Sequence, residues 1–230
     1  MKSKWIRLQV QLGFRKVLTL LSDTPFSDEH GSGFEVLELE NNTVRLKFCE
    51  RHVDREEVID PFGAVNEMQT IRYAFLVFNL KQQGSGLFSI ELLNPPRSIK
   101  RLITDLRETL GDITVTEVLF DPLLLYSEWV KTNSSGRVRK LRATNLFLSA
   151  QSSAKVEISS NHDALIEFRK AFSNMECVID RLYIEDVSGS ECYLDVYRSG
   201  LVAYDQTKVC DIRAFFEHYF STTNFFQPEE

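Results

Sequence analysis

The side chains best suited to catalysis lie mostly in one acidic stretch near the C-terminus. Six carboxylates fall between Glu176 and Asp195, and Asp205 and Lys208 follow closely. Carboxylates that meet at one end of a sheet can hold Mg²⁺ and activate water against a phosphodiester. The stretch therefore suggests an alternative function, a Mg²⁺-dependent nuclease that uses Asp186, Asp195 and Asp205. Alternation along strands explains the same acids as a solvated face, and we favour that interpretation.

Metal and thiol chemistry have less support in the sequence. Cys49 and His52 are three residues apart, which suits two ligands on a turn, but a zinc site needs about four ligands and no second pair lies near. The other cysteines, Cys177, Cys192 and Cys210, are scattered and form no C-x-x-C pair. We therefore predict no catalytic residue, no metal site and no cofactor.

Three segments are rich in lysine and arginine and contain at most one acid each. They span residues 1–16, 97–107 and 131–142. If these segments meet in space, they form a basic groove in which Lys and Arg contact phosphates while Trp5 or Trp129 stacks on bases. Dispersed, solvated charges are the alternative explanation. The predicted binding residues are Lys4, Arg7, Arg97, Lys100, Arg101, Arg137, Arg139 and Arg142.

Two aromatic residues follow the last predicted helix. Phe225 and Phe226 lie just before the acidic C-terminal residues. Exposed aromatic side chains in such a place predict contact with a partner or with a second copy of the chain. Packing back onto the protein is the alternative.

Composition excludes several classes of protein. The chain has 230 residues, a net charge of −6, 43% hydrophobic and 26% charged residues, which are ordinary values for a globular protein. Disordered, collagen-like and histone-like chains are excluded. The N-terminal residues lack the apolar stretch of a signal peptide, and no run of about 18 apolar residues is present. We predict a cytoplasmic protein without a membrane partner.

Hydrophobic periodicity predicts many strands and a few helices. Strands are expected near residues 5–12, 113–120, 137–149, 177–186, 191–198 and 201–205, with hairpins at 34–50 and 71–93. A charged loop is expected at 51–68, and helices at 98–110, 122–131, 162–173 and 210–220. This pattern predicts an α+β fold, mostly antiparallel sheets with a few inserted helices. A boundary at 133–136 divides the chain into regions 1–132 and 137–230, unless the chain is one continuous domain.

One further inference rests on the hydrophobicity pattern of the middle of the chain. It covers Tyr73–Phe78, Gly86–Glu91, Ser98–Leu110 and Val115–Tyr126. In this pattern the chain resembles small, single-gene bacterial and prophage proteins of the phage-exclusion type. The resemblance implies a cytoplasmic antiviral defence protein that binds a phage component or nucleic acid, and it assigns no functional residue.

Together these observations predict a non-enzymatic binding protein. It would use a sheet face or basic groove to engage a protein or nucleoprotein partner, such as a phage replication protein, and would interfere with it. The expected partner is a protein, which the resemblance suggests is phage-encoded or DNA-associated. Nucleic acid and a second copy of the chain stay open as partners. The alternatives are the Mg²⁺-dependent nuclease and a single-stranded nucleic-acid-binding protein.

Overall fold

Strands dominate the computed structural model, which describes residues 1–59, 61–63, 65–133, 136–149, 152–173, 175–186, 193–205 and 209–222. The strands in these ranges are β1 (Lys2–Val10), β2 (Ser32–Glu40), β3 (Thr43–Ile59), β4 (Val65–Gly84), β5 (Leu87–Leu93), β6 (Ile113–Glu117), β7 (Arg137–Ser149), β8 (Ser152–Ser159), β9 (Val178–Glu185), β10 (Tyr193–Tyr197) and β11 (Leu201–Tyr204). The helices are α1 (Phe14–Ser22), α2 (Lys100–Leu110), α3 (Pro122–Asn133), α4 (Ala164–Ala171) and α5 (Val209–Thr222). The prediction of a mainly antiparallel α+β protein is confirmed.

The chain forms two compact units. Unit A is Arg7–Thr116, and unit B joins Met1–Ile6 to Glu117–Glu230. The first residues belong to unit B because Lys2–Lys4 pairs antiparallel with Leu201–Ala203 of β11. The sequence-predicted boundary at 133–136 lies inside unit B, between α3 and β7.

Unit A is built on two hairpins. Its strand order is β2-β3-β4-β5, with β1 next to β5 and β6 paired to β1. Alternate residues of β3 and β4, among them Leu46, Phe48, Phe78 and Leu80, are buried. The β4–β5 turn needs Gly86, whose φ is 69° and where a Cβ would lie 2.5 Å from the Val10 carbonyl oxygen. Both predicted hairpins are confirmed.

The loop expected at 51–68 is instead part of a long two-stranded ribbon. β3 continues to Ile59, and β4 begins at Val65, with unbroken pairing from Arg51↔Tyr73 to Ile59↔Val65. This prediction was wrong because both faces of the ribbon meet solvent, so no burial enforces an apolar–polar alternation. The charges that resembled a loop form cross-strand pairs, including Arg72 Nε with Asp54 Oδ2 at 2.9 Å.

Unit B is an antiparallel sheet with helices against it. Its strand order is β1-β11-β10-β9-β7-β8. Apolar residues on alternate positions, such as Leu141, Leu182, Leu194 and Val202, are buried. The helices α3 and α4 contact β9 and β7. One face of the sheet is therefore apolar and buried, and the opposite face is partly exposed to solvent.

Both tryptophans belong to the core of unit B. Trp5 lies 4.5 Å from the Phe216 ring and Trp129 lies 5.1 Å from the Phe215 ring, measured between centroids, and both indoles are buried. The prediction that Trp5 or Trp129 stacks on bases was therefore wrong. Period-two alternation in the sequence places Trp5 on a strand, but it does not show that α5 packs over the strand face that carries Trp5.

The buried phenol of Tyr219 makes the fold sensitive to alkali. Burial, together with the nearby charges of Asp121 and Glu128, raises the pKa of Tyr219 to about 12. Because the folded-state pKa exceeds the unfolded value, this contribution is complete below pH 10 and is lost as the pH rises toward 12. We expect the free energy of unfolding to fall by on the order of 2 kcal/mol from this group.

Urea unfolding at a series of alkaline pH values measures this loss. Tyr219→Phe should flatten the fall between pH 10 and 12 relative to wild type, since the variant has no phenol to titrate. An unchanged alkaline fall in Tyr219→Phe would contradict the assignment.

Candidate nucleic-acid interface

The predicted binding residues are divided between the two units. Arg7, Arg97, Lys100 and Arg101 belong to unit A, and Lys4, Arg137, Arg139 and Arg142 belong to unit B. Phe225 and Phe226 lie outside the described residues. Within unit B, the three arginines of β7 come closest to forming a site.

Arg101 has a structural role in unit A. Its Nε lies 2.8 Å from Asp105 Oδ1, and its Nη2 donates to Ser32 Oγ at 2.7 Å and to the His30 carbonyl oxygen at 3.2 Å. These contacts tie α2 to the start of β2. Arg97 and Lys100 are exposed, and neither forms an ion pair with the described residues.

Several unit B cations are already neutralised in part. Lys4 Nζ lies 2.6 Å from Glu117 Oε1. Arg137 Nη2 and Arg139 Nε each lie 3.2 Å from the same oxygen, Glu185 Oε2. One carboxylate cannot neutralise two guanidinium groups, so this cluster keeps a net positive charge.

The partly exposed face of unit B holds three tyrosines among these charges. Antiparallel register places Tyr183 of β9 opposite Lys140 of β7 and Asp195 of β10, and Arg181 opposite Arg142 and Tyr197. Side chains directly opposite on paired strands share a face. We call this surface the tyrosine face, and its members are Arg137, Lys140, Arg142, Glu157, Arg181, Tyr183, Glu185, Tyr193, Asp195 and Tyr197.

The aromatic rings of this face form two groups. Tyr183 and Tyr193 stack with centroids 5.4 Å apart and an angle of 14° between their planes, and Lys140 Nζ lies 5.9 Å from the Tyr183 centroid. The Tyr197 centroid lies 5.0 Å from the Arg181 guanidinium carbon and 6.0 Å from that of Arg142. All three tyrosines are half-buried, so each ring keeps part of its surface in solvent.

An unusual pair of like charges lies at the centre of the tyrosine face. Arg142 and Arg181 are direct cross-strand partners. Of these two arginines, Asp195 forms an ion pair only with Arg181, through two 2.8 Å contacts to its Nε and Nη2. Asp195 also accepts a 3.2 Å hydrogen bond from the Tyr197 hydroxyl. On its other side Arg142 is opposite Glu157 of β8, which is exposed and forms no ion pair with it. Like charges directly opposite destabilise a sheet, so an anion bound beside Arg142 and Arg181 would be stabilising.

Tyr183 and Tyr197 stay neutral near physiological pH. Burial raises the pKa of Tyr183, and the nearby Glu185 and Tyr193 raise it further. Burial, followed by the charge of Asp195, also raises the pKa of Tyr197. The rings therefore present no phenolate charge that would repel a phosphate.

The carboxylates of the nuclease hypothesis do not share a described metal site. Asp195 is buried and bound to Arg181. Among the described residues, no group of three or more His, Cys, Asp and Glu side chains is placed to hold a metal ion. Cys49 and His52 belong to one strand, β3, and at a separation of three residues they occupy opposite faces.

Sequence reasoning missed the tyrosines because it counted charges along the chain and not along each face. Taken by parity, β9 places Arg181, Tyr183 and Glu185 together, and β10 places Tyr193 and Tyr197 with Asp195. That signal was available. The pairing of Arg142 with Arg181 was not, since it depends on the register of β7 against β9.

Comparisons with known proteins give no family for this chain. No protein-family model matches it, and neither does any curated protein. None of the described helices has the length and apolar character needed to cross a membrane.

Proposed function

We propose that this protein is a non-catalytic binding protein whose tyrosine face binds single-stranded nucleic acid, free or within a nucleoprotein. The observation that carries the proposal is the Arg142–Arg181 pair beside half-exposed tyrosine rings on one sheet face. Rings of this kind stack on unpaired bases, and guanidinium groups pair with the phosphates between them.

A single strand suits this surface better than a duplex. Reading a DNA duplex requires a helix or a narrow ribbon that enters the major groove, whereas a broad sheet face offers a platform to unstacked bases. The net charge of −6 argues against a general coating of nucleic acid, so binding would be confined to this local positive surface.

The biological role we propose is interference through sequestration. A protein that covers single-stranded nucleic acid at a replication site blocks the proteins that act there, which agrees with the role implied by the resemblance to phage-exclusion proteins. Binding is then stoichiometric and saturable, and no product forms. The Mg²⁺-dependent nuclease remains the competing proposal, and the same assay addresses it.

Salt dependence of oligonucleotide binding tests the proposal. We expect the affinity for a fluorescent single-stranded oligonucleotide to fall as salt rises, with a slope of log K against log salt of about −0.7 for each phosphate contacted. Arg142→Gln should make the slope shallower by about 0.7, because one phosphate contact is lost. Fluorescence anisotropy on DNA and RNA strands, at four or more salt concentrations, gives both values.

Arg97→Gln is the matched control for this measurement. Arg97 is an exposed arginine of unit A without an ion pair among the described residues. A slope changed by Arg97→Gln and not by Arg142→Gln would move the site to unit A. Cleavage of the strand by wild type in Mg²⁺ would replace the non-catalytic proposal with the nuclease.

A further inference from the structure

The ribbon of unit A is an arm with no described partner for most of its surface. We define the arm as Arg51–Ile59 of β3 together with Val65–Phe75 of β4, joined by the turn around Phe62. Every residue from Val65 to Phe75 is exposed. Three apolar side chains at the end of the arm are strongly exposed, Ile59 at 68%, Val65 at 60% and Phe62 at 95%.

Each strand of the arm has one free edge. β4 pairs with β5 only from Val77 to Gly84, so within the described residues Val65–Phe75 pairs with β3 alone. On that side, the backbone N–H and C=O groups of alternate residues point away from β3 and have no strand partner within the described residues. Free edges of this length are templates for pairing with another chain unless charges or prolines protect them.

The two free edges differ in protection. Arg51–Ile59 carries Asp54, Glu56 and Glu57 as well as Arg51 and Arg55, which is the charge pattern of a guarded edge. Val65–Phe75 carries only Glu67 and Arg72 and contains no proline or lysine. The edge of β4 is therefore neutral and open to a further strand.

An apolar cleft lies at the base of the same arm. It has a volume of about 570 Å³, and its lining includes Pro25, Phe26, Cys49 and Phe75. Phe75 is 64% exposed, and Cys49 is its direct partner across β3 and β4. The arm thus has an exposed apolar end and, one arm length away, an apolar cleft.

We propose that the arm pairs with the arm of a second copy of this chain, antiparallel and edge to edge through β4. A two-fold axis at Thr70 places Val65 of one copy opposite Phe75 of the other. Because Phe75 also lines the cleft, the same register brings the apolar end of each arm to the rim of its partner's cleft.

Charge and exposed apolar surface favour a second copy as the partner. In this register Glu67 is opposite Tyr73 and Met68 is opposite Arg72, so no like charges meet directly across the new pair. Exposed apolar and aromatic side chains of β4 and of the end of the arm flank the new pair on both of its faces. They are Ile59, Phe62, Val65, Met68, Ile71, Tyr73 and Phe75.

Sedimentation equilibrium on the full chain tests the association. We expect a dimer for wild type and a dissociation constant raised at least tenfold in Phe62→Ser and in Ile71→Lys. Val53→Thr, on the guarded edge, should leave it unchanged. A monomeric wild type, or a dimer unaffected by both arm variants, would overturn the proposal. Circular dichroism of each variant distinguishes lost association from lost folding.

Oxidative cross-linking tests the register. The two-fold axis places Thr70 of one copy directly opposite Thr70 of the other. Thr70→Cys should therefore form a disulfide-linked dimer, because the Cα atoms of opposed residues in an antiparallel pair lie within disulfide range. Glu56→Cys, on the other edge, should cross-link no more than wild type. Equal cross-linking of the two variants would refute the β4 edge. Neither outcome depends on nucleic-acid binding.

Discussion

Asp195→Ala is expected to lower the free energy of unfolding by about 3 kcal/mol, a large effect for one side chain. Asp195 is only 6% exposed and holds Arg181 through two 2.8 Å contacts. Its removal leaves a half-buried guanidinium group unpaired, directly opposite the guanidinium group of Arg142. Urea denaturation followed by circular dichroism measures the difference.

Glu185→Ala is the control for that experiment. Glu185 contacts Arg137 and Arg139 on the same sheet, but its side chain is 40% exposed. Exposed ion pairs contribute less than about 1 kcal/mol, so this variant should be nearly as stable as wild type. Equal losses in the two variants would show that burial of Asp195 has no special role.

Asp195→Asn and the double replacement of Arg181 and Asp195 by Leu separate two roles for Asp195. As a metal ligand of a nuclease, Asp195 could be replaced by Asn with loss of activity and little loss of stability. As the partner of Arg181, its charge is needed for folding, and replacing Arg181 and Asp195 together by Leu should recover part of the loss. The bidentate contact favours the structural role.

Local features of the fold were predictable from the sequence. The hairpin at 34–50 has alternating apolar residues on each side of Asn41–Asn42, and Asn41 adopts a positive φ of 45° in the turn. The helix at 162–173 is confirmed as α4, and Asp163 begins it by accepting hydrogen bonds from the backbone N–H groups of Leu165 and Ile166. Such signals lie within a few residues of one another.

Long-range features were not predictable in the same way. The pairing of Lys2–Lys4 with Leu201–Ala203 joins residues about 200 positions apart, and with the Trp5–Phe216 contact it assigns the N-terminus to unit B. Loop-closure entropy weakly penalises such contacts, and no local pattern records them. The arm was missed for a different reason, since solvent on both faces removes the alternation that marks a strand.

The candidate site lay between these two cases. The sequence placed Arg137, Arg139 and Arg142 on one strand, but it assigned the stacking role to Trp5 and Trp129. Tryptophan side chains are on average more buried than tyrosine side chains, whose hydroxyl group tolerates solvent. On an open sheet face with charged neighbours, tyrosine is therefore the better candidate for base stacking.

Loss of the tyrosine rings should have the largest effect on nucleic-acid binding. Stacking of one base on an aromatic side chain contributes about 1–3 kcal/mol, so Tyr183→Ala and Tyr197→Ala should each weaken binding roughly 5- to 150-fold. Tyr197→Ala also removes the ring shared by Arg142 and Arg181 and should have the greater effect. Fluorescence anisotropy with a single-stranded oligonucleotide at fixed, low salt measures these changes.

Phenylalanine variants separate stacking from other roles of these tyrosines. Tyr183→Phe keeps the ring and should bind within about twofold of wild type, if stacking on bases is what Tyr183 provides. Tyr197→Phe additionally loses the 3.2 Å hydrogen bond to Asp195, so a small loss of stability should accompany near-normal affinity. Full affinity in both alanine variants would show that base stacking on Tyr183 and Tyr197 does not contribute to binding, which would contradict the role proposed for these two rings.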